Sequence, residues 1–171
     1  MKRILIIGGS GAGKTTLSRE LGQRLKLPVC HLDQLWWLPG WQMDSRENFD
    51  AKLATELRKP RWIIDGAYSR TLSERLKYAD TVIFLRYSRW ICLTGALTRI
   101  LRTHGKVRVD MSSGCPERFD WEFLRYIWNF NTEELPKLET ALNEFQGRII
   151  LLKSRKETSI FLKNINDERN V

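Results

Sequence analysis

Short apolar runs recur along the chain at intervals that a helix would fill. Segments 2–7, 29–32, 62–64, 81–85 and 148–152 are each about strand length, and most lack the polar alternation of a strand with one wet face. Continuous apolar runs of this kind belong to strands buried on both faces. The stretches between them read as helices at 14–25, 45–58, 71–77, 88–103, 116–131, 133–145 and 156–165. Strands alternating with helices predict an α/β fold whose parallel sheet is covered on both sides. Pro28, the Pro39-Gly40 pair and Pro60 punctuate the early boundaries. Cys115-Pro116-Glu117 reads as a helix start, with proline in the first turn and an acid near the positive end. No internal repeat, low-complexity tract or linker divides the chain, so residues 1–171 are expected to form one domain.

The turn after the first apolar run carries the strongest chemistry. Gly8-Gly9-Ser10-Gly11-Ala12-Gly13-Lys14-Thr15 fits G-x-x-x-x-G-K-[ST], the phosphate-binding loop, between a strand and a helix. Glycines let backbone N–H groups point inward, and the helix N-terminus adds partial positive charge. A glycine-rich connecting turn is the plain alternative. A dinucleotide fingerprint is excluded, because Lys14 stands where Gly9-x-Gly11 would require glycine. The expected nucleotide ligands are Gly8, Gly9, Ser10, Gly11, Ala12, Gly13, Lys14, Thr15 and Thr16. Lys14 would reach the β- and γ-phosphates and the Thr15 hydroxyl would ligate Mg²⁺, so ATP and Mg²⁺ are implied.

Composition narrows the setting. Three widely spaced cysteines without a C-x-x-C point to a reducing compartment and no structural zinc. Four strongly apolar residues before the glycines are too few for a signal-peptide core, and nothing approaches a membrane span, so a cytoplasmic protein is expected. The net charge of +9 is concentrated in residues 61–108, and from Arg86 to Arg108 there are six basic residues and no acid. Such a run attracts nucleic acid, anionic lipid or the phosphates of a small substrate, or is a solvated helix face.

Ligands of parallel sheets gather beyond the carboxyl ends of the strands, and two acids stand there. Asp65 follows Trp62-Ile63-Ile64 and precedes Gly66, the pattern of an acid that holds Mg²⁺ directly or through water; a turn cap is the alternative. Asp33 ends the run 29–32 and is a candidate for orienting or deprotonating an acceptor hydroxyl, or else a turn cap. Trp36, Trp37 and Trp41 form an aromatic wall for a flat ligand, or core packing. Arg99 and Arg102 share one helix face, and Arg108 follows in the polar, glycine-flanked segment from His104 to Gly114. Three convergent arginines, with Lys14, suit the charge of phosphoryl transfer. The segment at about 103–116 would be a small lid in such an enzyme, or an ordinary helix–helix loop.

No N-K-x-D base-recognition motif is present, and the chain is short for a motor module. What remains resembles the small kinases of the adenylate kinase and shikimate kinase type. Asp65-Gly66 followed by Arg70-Thr71-Leu72 looks like the adenylate kinase D-G-F-P-R-T-L segment, with three residues, Ala67-Tyr68-Ser69, where that family has two. The resemblance implies that Arg70 holds an acceptor phosphate and that Arg99 and Arg102 hold the transferred one. A match over nearly the whole chain runs through His31-Leu32-Asp33-x-x-Trp36, Gly40-Trp41, Asp65-Gly66, Thr71-Leu72, Arg75, Gly114-Cys115-Pro116-Glu117 and Phe123 to Trp128. These residues are similar to the adenylate kinase-related DNA topology modulation proteins, and that resemblance makes Arg75 a phosphate-ligand candidate. The implied fold is a three-layer P-loop domain with a five-stranded parallel sheet, helices on both faces and a small lid. The implied activity is transfer of the γ-phosphate of ATP to a small acceptor, a nucleotide among the candidates, with Asp33, Trp36, Arg70 and Arg75 on the acceptor side. A nucleotide-dependent protein acting on DNA, and a kinase homologue that only binds ATP, are the alternatives. Oligomeric state is left open.

Overall fold

The structure, a computed structural model, describes residues 1–167. Five parallel strands run in the order β2-β5-β1-β6-β7: β1 (Arg3–Gly8), β2 (Val29–His31), β5 (Trp62–Asp65), β6 (Thr81–Leu85) and β7 (Arg148–Leu152). The first strand lies at the centre, which accounts for the unbroken apolar run Ile4-Leu5-Ile6-Ile7. Its side chains alternate between two cores. Ile4 and Ile6 pack with α1 (Lys14–Leu25), α5 (Arg89–Thr103) and α8 (Arg155–Asp167) on one face. Leu5 and Ile7 pack with α3 (Arg46–Leu57), α4 (Leu72–Tyr78) and α7 (Leu135–Asn143) on the other. The architecture is the expected three-layer α/β fold.

Local signals place the helices. Ser45 caps α3 by accepting from the Asn48 amide at 3.1 Å, and Asp120 caps α6 (Trp121–Glu133) by accepting from Phe123 N at 3.1 Å. The helix expected from residue 116 therefore begins at Trp121. Pro116 and Glu117 instead make isolated bridges to Val107 and His104. A proline followed by an acid fits either outcome, and burial of Glu117 against two arginines decides it. The run 29–32 also divides: β2 stops at His31, and α2 (Leu32–Trp36) leads into a two-stranded hairpin of β3 (Trp37–Leu38) and β4 (Gln42–Met43). Ile149 and Leu151 are exposed because β7 is an edge strand with one face open.

Arg75 departs furthest from expectation. It is completely buried, and its guanidinium donates to the carbonyls of Gly66 at 3.1 Å, Ala67 at 2.6 Å and Tyr68 at 2.8 Å. This corrects the assignment of Arg75 as a phosphate ligand: the guanidinium is fully buried beneath the turn that follows β5, with both terminal nitrogens bonded to its carbonyls and no access to the cleft. Burial pushes its pKa down to about 9, but an arginine with its donors so engaged remains a cation. The hydrogen bonds fix a turn that places Tyr68, a bulky residue, at φ 31, in the left-handed region such side chains avoid. Arg75→Met should lower stability by about 2–5 kcal/mol, because carbonyls left buried without donors carry most of their desolvation cost. Urea unfolding with matched m-values measures this. A variant with wild-type stability and a loss confined to substrate affinity would contradict the structural role.

Candidate functional site

Loop 9–13, the carboxyl ends of β1, β2 and β5, and α5 enclose a cleft of about 1210 Å³. Gly11 and Gly13 take φ values of 82° and 93°, and Gly13 directly precedes α1. A Cβ on Gly11 would lie 2.0 Å from the Cys92 carbonyl oxygen, so the loop rests on α5 backbone to backbone. Ser10 through Thr16 line the cleft. Gly8 and Gly9 form the base of the loop: Gly8 ends β1 opposite Leu85, and the Gly9 carbonyl accepts from Lys14 Nζ at 3.0 Å. Lys14 makes no ion pair among the described residues, and burial holds its pKa below the usual lysine value despite the nearby charges of Asp33 and Asp65.

The two strand-end acids lie in different surroundings. Asp65 is 5% exposed and accepts through Oδ2 from the Ser18 hydroxyl, with His31 Nδ1 2.8 Å from the same oxygen. His31 is its register partner across β2 and β5. Burial opposes charge on the His31 ring, but the bond to Asp65 and the charges of Asp65, Asp110 and Asp33 outweigh it and raise the pKa. Asp33 lies in the first turn of α2 and accepts from Tyr68 OH at 2.8 Å. Burial raises its pKa, with the Tyr68 bond and the charges of Lys14 and Arg108 pulling the other way.

Of the remaining predicted residues, Trp36, Arg70, Arg99, Arg102 and Arg108 line the same cleft. Trp36 packs edge-on against Phe49 and Tyr68 and belongs partly to the core. Arg70 is turned outward in a two-pronged pair with Asp50, at 3.0 and 2.6 Å. Arg99 meets Glu117 at 3.2 Å, and Arg108 lies 3.3 Å from Asp110 and 2.8 Å from Glu117. Arg102 has no ion-pair partner among the described residues.

The segment between α5 and α6 lies over this cleft. Asp110, 5% exposed, accepts from the Thr15 hydroxyl at 2.8 Å. The segment is tied to α2 and the β3–β4 hairpin by Gln34 Nε2 to Val109 O at 2.6 Å, Gly40 N to Gly114 O at 2.9 Å and Trp41 Nε1 to Pro116 O at 3.1 Å. Sequence reasoning gives no site role to Asp110, Glu117, Tyr68, Ser18 or His31. Asp110 is the first acid after the long basic run, which was a usable signal, and His31 was visible as a strand-end neighbour of Asp65. Nothing local marked Tyr68, whose place depends on Arg75 beneath the turn.

No family model matches the chain, and no curated protein matches it in sequence. Among solved structures the chain is similar to a shikimate kinase from Acinetobacter baumannii in complex with shikimate, at 16% identity, covering 98% of this chain and 92% of that one, with TM-score 0.60. It is similar to a gluconokinase from Sinorhizobium meliloti at 14% identity, covering 99% and 95%, with TM-score 0.57. A shikimate kinase from Bacteroides thetaiotaomicron aligns at 20% identity over 99% of each chain, with TM-score 0.52. These likenesses show the fold alone, a five-stranded parallel sheet with helices on both faces. Among the described residues no helix is long and apolar enough to cross a membrane, and no cluster of three or more His, Cys, Asp or Glu residues is placed to hold a metal.

The raised His31 pKa has a consequence for stability. Protonated His31 binds Asp65 more strongly in the folded state, so the contribution is complete below the ordinary histidine pKa of 6.5 and is lost as pH rises through the higher folded value. Wild type should therefore lose stability above pH 6.5 relative to His31→Gln, whose stability should be nearly flat over the same interval. Urea midpoints of both proteins from pH 5.5 to about 8.5 measure the difference. Parallel curves would contradict the charged pair.

Proposed function

We infer that the protein is an ATP-dependent phosphotransferase acting on the hydroxyl of a small molecule. The observation that carries this is Lys14: a partly desolvated cation, unpaired among the described residues, on a glycine loop at a helix N-terminus and facing the cleft of Asp33. An uncompensated cation of this kind is stabilised by a polyanion, and the left-handed glycines leave the loop amides free of side-chain cover. Ser10 through Thr16 would hold the triphosphate. Thr15, with the carboxylate of Asp65, presents the hard oxygen donors that suit Mg²⁺. Both protein hydrogen bonds to Asp65 fall on Oδ2, which leaves Oδ1 for the ion or its water. When bound, Mg²⁺ neutralises charge on the phosphates.

In the transfer, Asp33 takes the proton of the acceptor hydroxyl, helped by the raised pKa that burial gives it. The acceptor oxygen bonds to the γ-phosphorus as the bond to the β,γ-bridging oxygen breaks, and ADP leaves with that electron pair. Lys14, Arg99 and Arg102 stabilise the charge that develops. Arg108 and the segment at about 103–116 form the lid, Asp110 leaving Thr15 as nucleotide enters. The whole chain acts as one domain. Its three free cysteines suit a reducing compartment, and we place the reaction in the cytoplasm.

The resemblance to DNA topology modulation proteins raises a direct action on DNA, but the basic run that would support it is divided. Arg86 pairs with Glu139, Arg89 stacks on Trp128, Arg99 and Arg108 meet Glu117, and Arg102 lines the cleft. In this run only Arg102 and Lys106 are left exposed without an ion-pair partner among the described residues, and two such cations offer little continuous face to a phosphate backbone.

Lys14→Ala should reduce ATP-dependent phosphotransfer by about 100-fold or more, the scale of losing one charge-stabilising donor, while the thermal midpoint stays near wild type. Asp33→Asn should lower kcat by about 100- to 10,000-fold with KM little changed, the range for removal of a general base. Both are measured by coupled ADP release over a panel of small alcohols, with and without DNA. Undiminished transfer in Lys14→Ala, or ADP release that depends on DNA and on no small acceptor, would refute the assignment.

A further inference from the structure

The charges along the cleft are sorted by sign. At the loop end, Lys14 and Arg102 have no carboxylate partner among the described residues. At the end that would receive an acceptor the order is reversed, and Arg70, Arg118 and Arg75 each have partners among the described residues. Arg70 is held outward by two bonds to Asp50 and lies over the Phe49 ring. Arg118 pairs with Asp120 at 3.6 Å and covers Trp41. Arg75 serves three backbone carbonyls behind the floor.

What faces the space is acidic and aromatic. Asp33 receives only the Tyr68 hydroxyl, and Glu134 receives Ser69 and Lys137, the latter at 2.6 Å. Trp36, Tyr68 and Tyr126 supply ring surface. An anionic acceptor would bring its charge against Asp33 and Glu134, in a partly desolvated site where such repulsion is poorly screened. The cations nearest Asp33, Lys14 and Arg108, are those assigned above to the triphosphate and the lid. A neutral or amine-bearing alcohol meets no such barrier, and aromatic faces suit a flat, apolar or cationic body.

We propose that the acceptor is an alcohol with no phosphate or carboxylate of its own, bound with its hydroxyl at Asp33 and its body against Trp36, Tyr68 and Tyr126. This rests on the phosphotransfer reading for the direction of the reaction, but the selectivity is a property of the pocket itself. Asp33 orients the hydroxyl and Tyr68 orients Asp33. The nucleotide candidate raised by the sequence is disfavoured on this ground, because the two arginines that would hold its phosphate, Arg70 and Arg75, are both committed elsewhere.

The test uses matched pairs that differ only in the anionic group: nucleosides against their 5′-monophosphates, and polyols and amino alcohols against the corresponding hydroxy acids. Two signals are read on the wild-type protein, ADP release with ATP and Mg²⁺, and intrinsic tryptophan fluorescence on titration of the acceptor alone. The expected result is at least a tenfold preference, in kcat/KM or Kd, for the member without the anion. A preference for the anionic member, or equal binding of the two, overturns the proposal. Selective binding without ADP release would sustain the pocket chemistry while defeating the phosphotransfer reading. A fluorescence titration that responds to neither class overturns the pocket assignment.

Discussion

The site depends on one close approach of backbone to backbone. Loop 9–13 lies on α5 so tightly that a Cβ on Gly11 would be 2.0 Å from the Cys92 carbonyl oxygen, and a Cβ on Gly95 would be 2.2 Å from the Gly11 carbonyl oxygen. Neither position has room for any side chain, and Gly11 also needs a left-handed backbone. The contact joins the loop that carries Lys14 to the helix that carries Arg99 and Arg102, so the cations of the cleft are held by one rigid pairing.

The opposite wall is held from below. Arg75 ties three successive carbonyls after β5, and that tie keeps Tyr68 in a strained conformation with its hydroxyl on Asp33. Burying an arginine costs desolvation, and here its donors replace water with backbone oxygens. Asp65, at the end of the strand before this turn, is steadied by Ser18 from α1 and His31 from β2. Three elements thus meet on one carboxylate, which ties α1 and β2 to the end of β5.

The segment between α5 and α6 completes the enclosure with charges of its own. Glu117 lies between Arg99 and Arg108, and Asp110 takes both Arg108 and the Thr15 hydroxyl. These two carboxylates occupy guanidinium donors of Arg99 and Arg108 and the hydroxyl of Thr15, so the segment is held to α1 and α5 by charge as well as by backbone bonds.

Local sequence determined the frame. Each of the apolar runs at 2–7, 29–32, 62–64, 81–85 and 148–152 supplied a strand of one sheet, although Leu32 passes into α2, and the three central strands are buried on both faces as such composition requires. Ser45 and Ser88 mark helix starts through bonds to residues three positions on, which a linear reading finds, whereas the Asp120 cap is masked by the earlier Pro116-Glu117 signal. Only the tertiary structure decided the roles of charged residues, because an arginine's role is set by the partner that reaches it from a distant segment. Arg75 differs from a surface helix residue by the turn above it, Arg70 is turned away by Asp50 twenty positions earlier, and Asp110 meets Thr15 across 95 residues. Periodicity carries burial along a chain, but it carries no record of which charge will face which.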